Sequence, residues 1–203
     1  MRRIAIALLV LATPALVVAQ DTSRARGSSA TARASASANA SVSLDVPRRF
    51  SAEGRAKLEA MYTTAKSKQL PPEPIAQRVA EGEAKGASEA SVLASANAVH
   101  GRLEATQRIL IKAGREPRQD EIAHGASAME RGVTEVQLTS MVEKTPSDRS
   151  LTVAFDVLTQ LAAGGVPVTN ALAQVQAKLD ARAPDSAILS LTASLTGRGR
   201  GGH

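Results

Sequence analysis

The chain has 203 residues, with no cysteine, no tryptophan, one tyrosine and two phenylalanines. The absence of cysteine excludes disulfides, thiolate metal sites and cysteine nucleophiles. The net charge is +6, but residues 51–196 carry 16 basic and 17 acidic side chains, so the excess lies in residues 1–50 and 197–203. Because nucleic-acid binding needs positive charge clustered on the fold, this distribution argues against a nucleic-acid partner.

Residues 1–19 have the pattern of a secretory signal peptide. Arg2 and Arg3 precede an apolar stretch at 4–18, and small residues lead up to a cleavage site after Ala19. The apolar stretch is shorter than the ~20 residues that a membrane-spanning helix needs, so we favour cleavage over retention as an anchor. We therefore expect an exported bacterial protein, periplasmic or secreted. We expect membrane contact only through the signal peptide or through weak contact of the basic ends.

Two segments have the composition of flexible chain. Residues 20–50 are rich in Ser, Ala and Arg, and residues 197–203 are an Arg/Gly tail. Such segments bury too little apolar area to offset the entropy of ordering. We expect a disordered linker at 20–50, although the arginines between 24 and 33 offer contacts for anionic surfaces.

Between residues 51 and 196, apolar residues recur every three or four positions in eight segments, and this spacing predicts helices. The third segment runs across Gly101 as one long helix that ends at Gly114. The sixth, residues 151–161, is apolar nearly all round, so we expect it to be the most buried, with Ser147 or Asp148 as its cap. Representative positions in chain order are Leu58 and Tyr62, Ile75 and Val79, Val92 and Leu103, Ile122 and Met129, Val136 and Met141, Phe155 and Leu158, Leu172 and Val175, and Ile188 and Leu191.

One local pattern recurs between these helices: glycine, an apolar or small residue, then a residue that starts the next helix. Glycine adopts the left-handed conformation that closes a helix end, and Ser or Thr caps the following helix. Thr134 and Gln137 also have the spacing of a capping box. Proline suits a helix start because its φ is fixed. The structural corners predicted in this way are Gly86 with Ser88, Gly132 with Thr134, and Gly165 with Pro167, and a weaker copy lies at Arg182.

These elements predict an all-α fold, a compact bundle of about eight helices arranged as helical hairpins. The corner glycines are 46 residues apart from Gly86 to Gly132 but 33 from Gly132 to Gly165. A regular solenoid would keep one period, so we favour a bundle with an irregular helical repeat over an open superhelix.

Residues 74–86, which end in Glu-Gly-Glu-Ala-Lys-Gly, resemble a Gly-hinged helical repeat of uncharacterised exported bacterial proteins. The later Gly-Val-Thr and Gly-Val-Pro corners fit the same pattern, so the resemblance covers roughly residues 70–190. It implies a helical architecture and carries no activity, no cofactor and no site residues.

Glu121 and His124 form a Glu-x-x-His pair on one predicted helix. Di-iron carboxylate bundles use two such motifs with two further glutamates. Asn97 stands three residues before His100, so the second motif is missing, and an ordinary surface pair is the simpler interpretation. Three histidines without cysteine also make a poor zinc set. We therefore predict no metal or other cofactor and no catalytic residue.

The remaining chemical signals are weak. Asp120 and Glu121 could be imagined as an acid and base for glycoside cleavage, but carboxylates at a helix start more simply favour the helix dipole. Tyr62 and Phe50 are the aromatic residues available as stacking platforms for sugars or single strands, and Arg198-Gly199-Arg200 is one short RGG-like copy.

Three functions stay open at the level of sequence. The first is a non-enzymatic exported module that binds a protein partner or acts as an envelope scaffold. The second is a polyanion binder that uses the basic ends against envelope lipid or nucleic acid. The third is an enzyme with an unrecognised site near Glu121 and His124.

Overall fold

The computed structural model describes Pro47 and residues 49–196. The signal peptide expected at 1–19, residues 20–46 of the expected linker and the tail expected at 197–203 lie outside the described residues. The described part contains helices and turns but no strand, which confirms the predicted all-α fold. The eight helices are α1 (Ala52–Ser67), α2 (Glu73–Ala84), α3 (Glu89–Lys112), α4 (Gln119–Glu130), α5 (Glu135–Lys144), α6 (Thr152–Ala163), α7 (Val168–Asp180) and α8 (Asp185–Thr196).

The helices pack about equally on their neighbours in the chain and on helices two positions away. α1, α3, α5 and α7 follow one another in one layer, and α4, α6 and α8 follow one another in a second. α3 lies at the centre because it also packs on α2 and α4. α2 and α4 approach each other at few positions, and this leaves the space between them partly open. None of the helices in the described part is both long and apolar enough to cross a bilayer.

The uneven corner spacing has a simple origin in the length of α3. α4, α6 and α8 begin at Gln119, Thr152 and Asp185, a constant step of 33 residues. α3 has 24 residues, whereas α5 and α7 have 10 and 13. The α3–α4 hairpin is therefore longer than the α5–α6 and α7–α8 hairpins that follow it. The repeat is therefore regular in the second half of the domain and irregular in the first.

The corners close with one hydrogen-bond pattern. At Gly132, which has φ +99°, the Gly132 N–H donates to the Met129 carbonyl (3.1 Å) and the Val133 N–H donates to the Ala128 carbonyl (3.2 Å). This is the Schellman arrangement, which satisfies the last carbonyls of a helix. The same pair of bonds, with positive φ at the turn residue, occurs at Gln69, Gly86, Gly114, Gly165 and Arg182.

The helix starts at the corners differ in how they are capped. The Ser88 hydroxyl accepts from the Ser91 N–H at 3.3 Å. Thr134 and Gln137 form a complete capping box, with the Thr134 N–H donating to Gln137 Oε1 at 2.9 Å. Pro167 occupies the N-cap position of α7, one residue before the first turn, and its carbonyl accepts from the Asn170 N–H.

One expectation about burial is wrong. Val136, which we placed in the apolar set of α5, is 79% exposed, because the buried face of that helix is formed by Leu138, Met141 and Val142. α6, which we expected to be the most buried helix, shares that position with α4, since each buries five of its twelve residues. The physical reason is that α4 is enclosed by α3 and α6 and passes α3 at the small residue Gly125.

Packing also extends to the N-terminal side of Ser51. Phe50 is buried, and Arg49 pairs with Glu83 of α2 at 2.9 Å. Ser51 caps α1 by accepting from the Gly54 N–H, and it also donates through its own N–H and hydroxyl to the Glu89 carboxylate at 2.8 and 2.6 Å. The start of α1 is thereby tied to the start of α3.

We expect Gly132→Ala to lower the free energy of unfolding by about 1 kcal/mol, because a Cβ is disfavoured in the left-handed region. A Cβ at this position would meet Val168 at an ordinary 3.7 Å, so the loss would arise from backbone conformation and not from a clash. Gly101→Ala is the matched control. Gly101 is exposed inside α3 with open space around it, so alanine there should raise stability by about 1 kcal/mol. Equal and unchanged denaturation midpoints for both variants would contradict this account of the corner.

The Ser51–Glu89 link predicts a specific acid sensitivity. Hydrogen bonds from the Ser51 hydroxyl and then from its N–H lower the pKa of Glu89 below its ordinary value of 4.5. The unfolded chain therefore takes up this proton at higher pH than the folded chain does, so stability is lost as the pH falls from 4.5 through the folded pKa.

We expect Glu89→Gln to reduce the loss of unfolding free energy between about pH 5 and pH 3, measured by denaturant titration. Glu143→Gln, at an exposed position on α5, controls for the removal of one negative charge. If the unfolding free energy of the Glu89 variant falls with pH as steeply as that of the parent protein, the Ser51–Glu89 link does not contribute to stability.

Candidate functional site

Glu121 is a structural group in the interior of the fold. It is 2% exposed, and its Oε1 accepts from the Leu151 N–H at 2.8 Å. Leu151 is the N-cap residue of α6 and has no side-chain cap, so the expectation that Ser147 or Asp148 caps this helix is wrong. The cap comes instead from α4, where a buried carboxylate faces the positive end of the α6 dipole. Arg115 Nη2 lies 3.8 Å from the same carboxylate oxygen.

Arg115 joins the loop after α3 to the loop before α6. It is 7% exposed; its Nη1 donates to the carbonyls of Thr145 (3.3 Å) and Pro146 (2.9 Å), and its Nη2 donates to the carbonyl of Arg149. Arg149 in turn donates to the Ala183 carbonyl, in the loop before α8, at 2.5 Å. The two arginines are 34 residues apart, close to the step of the helical repeat, so each loop is fastened to the next.

The sequence contained a signal for Arg115 that our reading missed. The residue after the corner glycine is small or apolar at Ala87, Val133 and Val166 but is arginine after Gly114. An arginine where the pattern calls for an apolar contact indicates a buried charge with a specific partner.

His124 does not join Glu121 in a site. Its Nδ1 lies 3.9 Å from Asp156 Oδ1, and both side chains are more than a third exposed. Glu121 meanwhile is turned into the interior towards Leu151. In the part of the chain that the structure describes, no three His, Cys, Asp or Glu side chains converge in a way that could hold a metal ion.

Asp120 and Glu121 are also separated by the helix. Asp120 accepts from the Thr152 hydroxyl at 3.0 Å and pairs with Arg118 at 3.1 Å on a more exposed side. Burial raises the pKa of Asp120, but the hydrogen bonds from Thr152 and from backbone N–H groups, together with the Arg118 charge, outweigh this and hold the pKa below its ordinary 3.8. Asp120 therefore helps to join α4 to the start of α6.

The aromatic residues that we considered as stacking platforms are part of the core. Phe50 is 3% exposed and Tyr62 is 8% exposed. The Tyr62 hydroxyl is buried without an acceptor among the described residues, and burial raises the pKa of that hydroxyl. Neither ring presents a face for a base or a sugar.

A polar cleft with a volume of about 200 Å³ lies between α2, α3, α4 and α6. Its central feature is the carboxylate of Glu130, which pairs with Arg78 of α2 and, at 3.3 Å, with Arg102 of α3. Arg78 also lies 3.5 Å from Glu81. Arg131 completes the charged part of the lining, which therefore carries three positive and two negative groups.

The cleft residues were not singled out from the sequence. The one local signal is Glu130, an acid on the last residue of α4, where the helix dipole disfavours negative charge. We call this depression the arginine cleft, after its charged residues Arg78, Arg102 and Arg131, which surround Glu130.

Two shallower apolar grooves lie between the odd-numbered helices. One, between α1 and α3, is lined by Met61, Leu93 and His100, and the other, between α5 and α7, by Met141 and Leu172. The Nε2 of His100 is buried without a hydrogen-bond partner and lies 3.9 Å from Glu104.

No protein-family model, curated protein or solved structure matches this chain.

We expect Glu121→Ala to lower the free energy of unfolding by about 3–5 kcal/mol, because it leaves the Arg115 charge and the Leu151 N–H buried with one partner fewer. Glu121→Gln should lose less, since its amide oxygen can still accept from Leu151. The matched control is Glu135→Ala, which breaks an exposed ion pair with Arg108 and should lose less than about 1 kcal/mol. Similar losses of unfolding free energy for Glu121→Ala and Glu135→Ala in denaturant titrations would contradict a larger stabilising contribution from the buried carboxylate.

Proposed function

We propose that this protein is an exported, non-enzymatic α-helical module that binds a protein partner or serves as an envelope scaffold. The observation that supports this most is the arginine cleft, an open polar depression assembled from four helices in a domain whose buried charges are otherwise used to join loops. A cleft built from several helices offers a fixed arrangement of donors to a partner.

The absence of a catalytic role is part of the same proposal. The strongest candidate group, Glu121, already accepts a hydrogen bond from Leu151 and faces Arg115, and it is almost fully buried. A general acid or base must come within hydrogen-bond distance of a substrate proton. A buried carboxylate that accepts from the first N–H of a helix does not meet this requirement. The test is metal analysis and broad hydrolase assays on purified protein, and a stoichiometric metal or a Glu121-dependent activity would reject this part.

Export is proposed from the signal-peptide pattern of residues 1–19. The resemblance to a Gly-hinged helical repeat of exported bacterial proteins supports the same proposal. Mass spectrometry of the mature protein should show an N-terminus at Gln20. Retention of Met1 would reject cleavage.

Site-specific photo-crosslinking of the full chain in its native cell envelope tests partner binding. The crosslinker is placed at Gln77 in the arginine cleft, at Ala60 in the α1–α3 groove and at Ala173 in the α5–α7 groove, and Glu143 serves as an exposed control. We expect a discrete protein adduct at Gln77 and none at Glu143. Adducts of equal yield at all four positions, or at none, would reject a defined partner site.

The competing function is a polyanion binder that uses the basic ends, and the charge distribution is the observation that favours it. Replacing the five arginines at 24, 26, 33, 198 and 200 with glutamine in the full chain separates the two functions. Polyanion binding should disappear in that variant and should weaken steeply from low to physiological salt, whereas the Gln77 adduct should persist. Loss of the adduct in that variant would favour the polyanion function.

A further inference from the structure

Two guanidinium groups from different helices converge on one carboxylate in the arginine cleft. Arg78 and Arg102 both contact Glu130, and the side chains of the three residues are 29%, 25% and 36% exposed. Long charged side chains on a surface seldom share one geometry, because holding them reduces their rotamer entropy. Here a third charge, Glu130, holds both arginines in the lining of the cleft.

The cleft has more hydrogen-bond donors than acceptors. Each guanidinium offers five N–H donors, whereas Glu130 is the one acceptor that Arg78 and Arg102 share. Arg102 reaches Glu130 through Nη2, which is one of the three nitrogens of its guanidinium. Arg131, directly after Glu130, is exposed at the rim and adds a further positive charge. The lining therefore has more N–H donors than Glu130 alone can satisfy, and these donors can bind a second anionic group.

The position of Glu130 supports a role beyond joining helices. As the last residue of α4, its charge faces the negative end of the helix dipole, and the last turn carries no basic residue to offset this. Glu130 is thus held in place by Arg78 and Arg102 against a local electrostatic disadvantage. A carboxylate from another molecule would meet the same two guanidiniums without that disadvantage.

The size of the cleft indicates what kind of anion fits. Its volume of about 200 Å³ is below the ~300–1,000 Å³ of pockets that enclose small-molecule ligands, but it accommodates one acidic side chain. Guanidinium groups bind carboxylates in a bidentate, directional manner. We infer that the arginine cleft binds a glutamate or aspartate side chain from an acidic segment of a protein partner, which pairs with Arg102 and Arg131 and competes with Glu130 for Arg78. This inference rests on the proposed function and names the chemistry of its partner.

The test measures binding of a fluorescent peptide with three consecutive acidic residues to the mature full chain, by anisotropy at low and at physiological salt. The amide isostere of the peptide, with Gln and Asn in place of Glu and Asp, is the first control. We expect binding of the acidic peptide alone. Arg102→Met and Arg131→Gln should each weaken it by about tenfold, the equivalent of losing one close charge pair. Arg108→Gln, on the same helix as Arg102 but outside the cleft, should leave it unchanged.

Glu130→Gln separates a binding role from a structural one. A residue that merely joined α2, α3 and α4 would lower both stability and binding when substituted. If Glu130 is the internal competitor, Glu130→Gln should instead bind the acidic peptide about threefold to tenfold more tightly, even where its melting temperature falls. An unchanged or reduced affinity in a folded Glu130→Gln variant would overturn the inference.

Two further outcomes also overturn it. Equal binding of the amide isostere would show that the carboxylate is not recognised. Free glutarate binding as tightly as the peptide would assign the cleft to a small molecule. A Gln77 crosslink that persists while the peptide fails to bind would reject only the acidic class of partner and would leave the proposed function standing.

Discussion

The fold depends on one buried electrostatic contact, the Glu121 carboxylate at the N-terminus of α6 with Arg115 beside it. Without a side-chain cap of its own, α6 begins where a charged group from α4 meets its first free N–H. The same carboxylate balances an arginine that ties three loop carbonyls together. Removal of either charge would leave the other buried without its opposite charge, which is costly in the interior.

That contact also sets the stacking of the repeat. Arg115 reaches the loop before α6, and Arg149 reaches the loop before α8, so successive hairpins are fastened at the same end. The Schellman corners hold each hairpin locally, while the arginines determine how one hairpin follows the next. Short-range and long-range constraints meet in two of these loops, because Arg115 directly follows the Gly114 corner and Ala183 directly follows the Arg182 corner.

The arginine cleft lies where this regular stacking is interrupted. α2 precedes the regular part of the repeat and packs on α3 more closely than on α4. The gap between α2 and α4 is spanned by ion pairs instead of by apolar side chains. Charges that bridge a gap remain accessible to another molecule, whereas those that close a loop do not. For this reason the proposal of partner binding centres on Arg102 and Glu130 and not on Glu121.

The sequence alone determined the fold class and the glycine corners, but it did not reveal the corner at Gln69. The Gly132 corner and the Thr134–Gln137 capping box involve bonds across three to five residues, so local pattern is sufficient to predict them. Tertiary structure alone decided that Glu121 is buried, that Val136 is exposed and that Arg78 meets Glu130. The partners in these long-range contacts are 30 or more residues apart, as in Glu121 with Leu151, and helical periodicity shows which face is apolar without showing what it will face.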